Sequence, residues 1–102
     1  MNKLIESKRK ELSALCRKYH VQRLEIFGSA VTESFDPGKS DLDFVVQFGK
    51  LAPGEYADTY FGLLEEMEEL FQFRVDLIMD TAIDNPYFRE KTEKTGVLLF
   101  AA

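Results

Sequence analysis

Apolar residues recur at helical spacing from residue 3 to about 19, where Ile5, Leu12 and Tyr19 stand seven apart with Leu4, Leu15 and Cys16 beside them. The opposite stripe is charged, so the pattern predicts an amphipathic first helix. Val21 to Phe27 changes period: Leu24 and Ile26 sit between charged Arg23 and Glu25 in a stretch rich in β-branched and aromatic residues. A strand ending at Gly28 follows. Periodicity then lapses from Gly28 to Ser40, where Ala30 to Phe35 has room for a helical turn or two and Asp36-Pro37-Gly38-Lys39 marks a turn. From Asp41 to Phe48 the alternation is clean, with Leu42, Phe44, Val46 and Phe48 on one face and Asp41, Asp43, Val45 and Gln47 on the other. This predicts a second strand.

After a Gly- and Pro-containing loop from Gly49 to Gly54, residues 56 to 71 carry Tyr60, Leu63, Leu64, Met67, Leu70 and Phe71 at helical spacing, with Glu65, Glu66, Glu68 and Glu69 pointing out. That is the longest helix predicted. Phe73 to Met79 alternates as a third strand, placing Val75, Leu77 and Met79 on one face and Arg74, Asp76 and Ile78 on the other. Asp84-Asn85-Pro86 opens a last helix over 86 to 95, stopped by Gly96, and Val97 to Phe100 fits a short closing strand. Helices alternating with strands give an α/β or α+β fold, a sheet packed with helices.

With 102 residues, 45% of them hydrophobic, the chain is expected to form one domain over 1–102, without a second, substrate-enclosing one. A domain of this size buries roughly 65% of its unfolded surface, so association in a homo- or hetero-oligomer is expected to add stability. The longest apolar run, Val97 to Ala102, is far short of the ~20 residues of a membrane span. No membrane role is expected, and with no apolar leader a cytoplasmic location follows. Cys16 is the only cysteine, which excludes an internal disulfide and a cysteine-based zinc cluster. Cys16 and the Tyr60–Phe71 stripe read as core, and His20, with no catalytic partner in view, as structural or solvent-facing.

The net charge of -5 is unevenly spread. Residues 1–25 hold seven bases against three acids, whereas the remainder holds six against fifteen. An acidic bulk argues against nucleic-acid binding, whose affinity comes mainly from neutralising phosphates. The basic cluster Lys8-Arg9-Lys10 reads as a solvated helix face.

Chemistry concentrates in three acids. Asp41 and Asp43, two apart on a strand, aim their carboxylates to one side about 6.5 Å apart. Like charges so placed call for a cation, and hard Mg²⁺ is held by a few carboxylate oxygens, water and substrate phosphate. Asp is a poor strand former, so two in one strand break a local rule of the kind broken at functional sites. Asp76 interrupts an apolar strand and joins the pair if the second and third strands are neighbours. Three acids would suit a two-metal phosphoryl-transfer site. Gly28-Ser29 ends the first strand and lets backbone N–H groups approach an anion closely.

Gly28-Ser29 and, with eleven residues between, Asp41-Leu42-Asp43-Phe44-Val45-Val46 preceded by Ser40 resemble the signature of the DNA polymerase β-like nucleotidyltransferase superfamily. The short length, Arg74-Val75-Asp76-Leu77-Ile78 and the tail from Asn85-Pro86-Tyr87-Phe88-Arg89-Glu90 to Gly96-Val97-Leu98-Leu99-Phe100 are similar to its minimal nucleotidyltransferase branch. The resemblance covers essentially the whole chain. It implies a small mixed sheet with helices, binding ATP with Mg²⁺. Asp41, Asp43 and Asp76 would be the catalytic and metal-binding residues, and Gly28, Ser29 and Ser40 would hold the nucleotide. Members of this branch are often antitoxins of HEPN ribonuclease toxins, silenced by binding and in some cases by AMP transfer to a tyrosine. Against the pattern, Ala30-Val31-Thr32-Glu33-Ser34 stands where many members have Arg and Gly, and the insert is one residue longer than the commonest spacing.

Two functions of different class follow. One is an enzyme moving AMP from ATP to a hydroxyl of a partner protein such as a HEPN toxin. The other is a non-catalytic antitoxin acting by occlusion, which the missing Arg favours. An antibiotic-modifying adenylyltransferase ranks below both, because so short a chain shows no acceptor pocket.

Overall fold

A computed structural model describes residues 3–27, 42–80 and 96–102. Within them the chain runs α1 (Lys3–Ser7), α2 (Arg9–Lys18), β1 (Val21–Phe27), β2 (Leu42–Phe48), α3 (Glu55–Phe71), β3 (Val75–Met79) and β4 (Val97–Ala101). The turns at 28–40 and the last helix expected at 86–95 lie outside the described residues.

The first helix is predicted as one rod and is found as two pieces. Ser7 Oγ donates to the Leu4 carbonyl at 2.9 Å, and the Lys8 amide reaches only three residues back, to Ile5 O at 3.1 Å. A hydroxyl competing for a helical carbonyl and a tightened turn together interrupt the regular ladder. At the other end, His20 takes φ 58° in an exposed junction, and its carbonyl accepts the Gly49 amide at 2.8 Å. His20 is therefore solvent-facing and serves through its backbone, joining the starts of β1 and the loop after β2.

The four strands form one mixed sheet in the order β3-β2-β1-β4. β1 is antiparallel to both β2 and β4, and β2 is parallel to β3. A parallel pair needs a crossover, which α3 supplies. A bulge between Leu24 and Glu25 lets Leu99 turn into the core while Leu98 stays 45% exposed.

The alternation read in β2 is realised: Leu42, Phe44, Val46 and Phe48 are buried against Leu12, Cys16, Leu63, Met67 and Phe71 of α2 and α3. Phe44 stacks on Phe71 with ring centroids 5.9 Å apart. The other sheet face carries Glu25, Asp43, Val45, Gln47, Asp76 and Ile78.

Helix side chains close both sheet edges. On β3, Tyr60 Oη donates to the Leu77 carbonyl at 2.5 Å and the Val75 amide points to Glu68 Oε2 at 3.5 Å. On β4, Arg9 donates to the Leu99 carbonyl at 3.3 Å. Edge groups so occupied resist pairing with another strand. Not all of the glutamates of α3 simply point outward, since Glu66 accepts hydrogen bonds from Tyr19 Oη and, at 3.2 Å, from Lys18 Nζ.

Candidate active site

β2 and β3 are neighbours, as the convergence of the acids requires. Their register sets Asp43 directly against Asp76, Leu42 against Val75 and Phe44 against Leu77. The last two pairs belong to the core face, so the two acids share the opposite face, with Cα atoms about one strand spacing, ~4.8 Å, apart. On the other side Asp43 pairs with Phe27 of β1. Phe27, Asp43 and Asp76 therefore form a row across three strands, about 10 Å from end to end.

The row has a gradient of environment. Phe27 is buried, Asp43 is half-buried and Asp76 is exposed at the edge strand. A half-buried carboxylate at the inner position and one reachable from solvent at the outer position form a graded pair. Two adjacent anions on one face repel, and the hard oxygen donors of two carboxylates match Mg²⁺. Among the described residues no group of three His, Cys, Asp or Glu side chains converges. Asp41, Gly28, Ser29 and Ser40 lie outside the described residues. Gly28 nonetheless follows Phe27 directly in the chain, and Asp41 stands two residues before Asp43.

Tyr60 is a residue that the periodicity alone hides. It reads as one more apolar position of α3, yet its hydroxyl fixes the backbone next to Asp76, on a strand that among the described residues is paired with β2 alone. Burial first, and the negative charge of Asp76 second, hold its pKa above the usual tyrosine value. The available signal was its chemistry: a tyrosine in an aliphatic stripe brings an O–H that needs an acceptor.

Comparison with known proteins bears on this arrangement. The family model described as "Nucleotidyltransferase domain" matches residues 8–99. Putative protein adenylyltransferase MJ1379 of Methanocaldococcus jannaschii is 30% identical over 94 residues, spanning 92% of this chain and 92% of that protein. A solved structure described as a putative minimal nucleotidyltransferase superposes with a TM-score of 0.76 at 24% identity, covering 95% of each chain. A tri-AMPylated Shewanella oneidensis HEPN toxin in complex with MNT antitoxin gives a TM-score of 0.66 at 15% identity, over 95% of this chain and 72% of the matched one. The mixed four-stranded sheet with its helices is thus the minimal nucleotidyltransferase fold, and a match over nine-tenths of the sequence places this chain in the nucleotidyltransferase domain family.

Proposed function

We propose that this nucleotidyltransferase moves AMP from ATP to a hydroxyl on a partner protein, as the antitoxin-type half of a pair with a HEPN toxin. The observation that carries the reading is the side-by-side placement of Asp43 and Asp76 in a chain of this family. The names of its relatives, a protein adenylyltransferase and an antitoxin bound to an AMPylated toxin, support the acceptor class.

Asp43 and Asp41 would hold Mg²⁺, with Asp76 completing the set. Bound there, Mg²⁺ would supply positive charge against the triphosphate oxygens. Gly28, Ser29 and Ser40 would hold those phosphates through backbone N–H groups and hydroxyls. Asp76, the solvent-facing carboxylate, accepts a hydrogen bond from the acceptor hydroxyl and so aims the hydroxyl oxygen at the α-phosphorus. As the new P–O bond forms, the bond to the β-phosphate oxygen breaks, pyrophosphate leaves, and the proton of the hydroxyl passes to Asp76. Tyr60 keeps Asp76 in place through the neighbouring carbonyl.

Incubation with α-labelled ATP, MgCl₂ and the protein encoded by the adjacent gene tests this. Label is expected on the partner with wild type, and a loss of at least about a hundredfold with Asp43→Asn or Asp76→Asn. An unlabelled partner, with wild type and both variants equally protective in cells, would replace the enzyme by the occlusion reading.

A further inference from the structure

An apolar groove of about 350 Å³ lies between the first turns of α3 and the free side of β3, lined by Tyr56, Ala57, Tyr60, Leu77, Ile78 and Met79. Beside it Phe61 stands 62% exposed, its ring edge-on to Tyr60 at 5.1 Å, and Tyr56 is 38% exposed. A large aromatic left in water next to an apolar groove is the composition of an interface centre.

The surroundings are strongly acidic. From Leu51 to Asp80 the chain carries eight carboxylates and a single base, Arg74, and although Glu66 and Glu69 turn toward α2, four of the others lie by the groove or by Phe61. Asp58 and Glu65, at i−3 and i+4 from Phe61, are its neighbours on the helix surface. Asp76 and Asp80 bracket the three β3 residues that line the groove. An apolar floor inside a negative rim selects an occupant with an apolar stripe and flanking Lys or Arg.

The occupant's backbone is constrained too. Addition of a strand to β3 would need the Leu77 carbonyl and the Val75 amide, which Tyr60 and Glu68 already engage. A helix laid into the groove needs neither.

We infer that this groove, together with Phe61, is a docking site for a basic amphipathic helix of a partner protein. The groove runs into Leu77 and Ile78, the residues directly after Asp76, so a helix seated there presents its own protein beside the acidic pair. That link to transfer rests on the function proposed above; the docking does not.

Amide resonances of the isotope-labelled chain, titrated with designed helical peptides, test the inference. A peptide with Leu at i and i+4 and Lys on the flanks is expected to shift Tyr56, Ala57, Phe61, Ile78 and Met79. Raising ionic strength from about 0.01 to about 0.15 M shortens the Debye length from about 30 to about 8 Å and should weaken it severalfold. Its counterpart with Glu for Lys should bind at least about tenfold more weakly, as should the Lys peptide to Phe61→Ser. Asp58→Lys, which leaves the groove floor intact, should weaken it too. Shifts confined to the groove support the inference whether or not the chain transfers AMP. It is overturned by shifts elsewhere, by equal binding of the Glu peptide, by indifference to Phe61→Ser, or by concentration-dependent shifts of the groove residues without peptide, which would make a second copy the occupant.

Discussion

Asp43 on β2 and Asp76 on β3 are direct register partners, one strand spacing apart on the sheet face opposite the helices. Without a cation, facing like charges cost stability, by under about 1 kcal/mol for a cross-strand pair. Asp76→Asn should therefore raise Tm by up to a few degrees in metal-free buffer. The same variant should lose most of the gain that MgCl₂ gives wild type, which reaches about 2.7 kcal/mol at a hundred times Kd. Thermal melts with MgCl₂ and with a chelator check both signs. A variant that melts lower in chelator, or responds to MgCl₂ like wild type, would separate these acids from metal.

The hydrogen bond from Tyr60 to Leu77 is a short side-chain tether on the outer edge of β3. Tyr60→Phe removes only the hydroxyl, and should cost about 1 kcal/mol, or about 4–8 °C for a domain of this size. Alkaline behaviour gives a second readout. The folded-state pKa of Tyr60 lies above its ordinary value of 10.0, because burial, and then Asp76, disfavour the phenolate. Above pH 10 the unfolded chain releases this proton before the folded one does, so stability falls with rising pH. Tyr60→Phe should flatten that fall in equilibrium unfolding measured from neutral to alkaline pH.

Periodicity located the described elements because each apolar stripe is buried where its spacing points, from Leu12 and Cys16 in α2 to Leu63, Met67 and Phe71 in α3. β2 was the clearest case, since a one-residue slip in register would have put Asp43 in the core and Phe44 in water. What escaped the pattern were side chains acting on backbone. Ser7 breaks the first helix, Tyr60 and Glu68 close an edge, and a bulge redirects Leu99. Each depends on one hydrogen bond or one extra residue, and hydropathy carries no record of either. In the candidate site, the placement of Asp76 beside Asp43 was conditional on strand order, which sequence spacing alone does not decide. The contributions of Phe27 and Tyr60 became visible only through register and a hydrogen bond.

Glu66 has its pKa held below the ordinary glutamate value by hydrogen bonds from Tyr19 and then Lys18. A depressed carboxyl pKa contributes stability that is present above the unfolded value of about 4.5 and is lost as pH falls through the folded one. Glu66→Gln keeps an acceptor for Tyr19 but removes the charge. It should lower Tm slightly at pH 7, and the gap to wild type should close in acid. Melts at neutral pH and below pH 4 give the comparison.

Gly62 lies within α3, where alanine would ordinarily favour the helix by about 1 kcal/mol. Here a Cβ would stand 2.8 Å from Tyr19 Cε1 and 3.3 Å from its hydroxyl oxygen. The ring that gives Glu66 its hydrogen bond must then move. Gly62→Ala should be destabilising in wild type and stabilising in a Tyr19→Ala background. A double-mutant cycle by denaturant unfolding should show a coupling energy of at least about 1 kcal/mol. Additive effects would mean the ring yields without loss.

Cys16 is fully buried, and burial pushes its thiol pKa up to about 12, against a weaker downward pull from Arg17. The thiolate is the reactive form, so at pH 8 the folded chain offers almost none of it and no access to it. Labelling by a disulfide reagent should proceed only through opening of α2 from the sheet, making its rate a measure of that opening. As this is the chain's only cysteine, the signal is unambiguous. If opening is global, each 1.4 kcal/mol of added stability slows labelling about tenfold. Under chelator Asp76→Asn should therefore label more slowly than wild type, and Tyr60→Phe faster. Rapid labelling of the native wild-type chain, or equal rates in all three, would mean that α2 lifts off locally without disturbing β3.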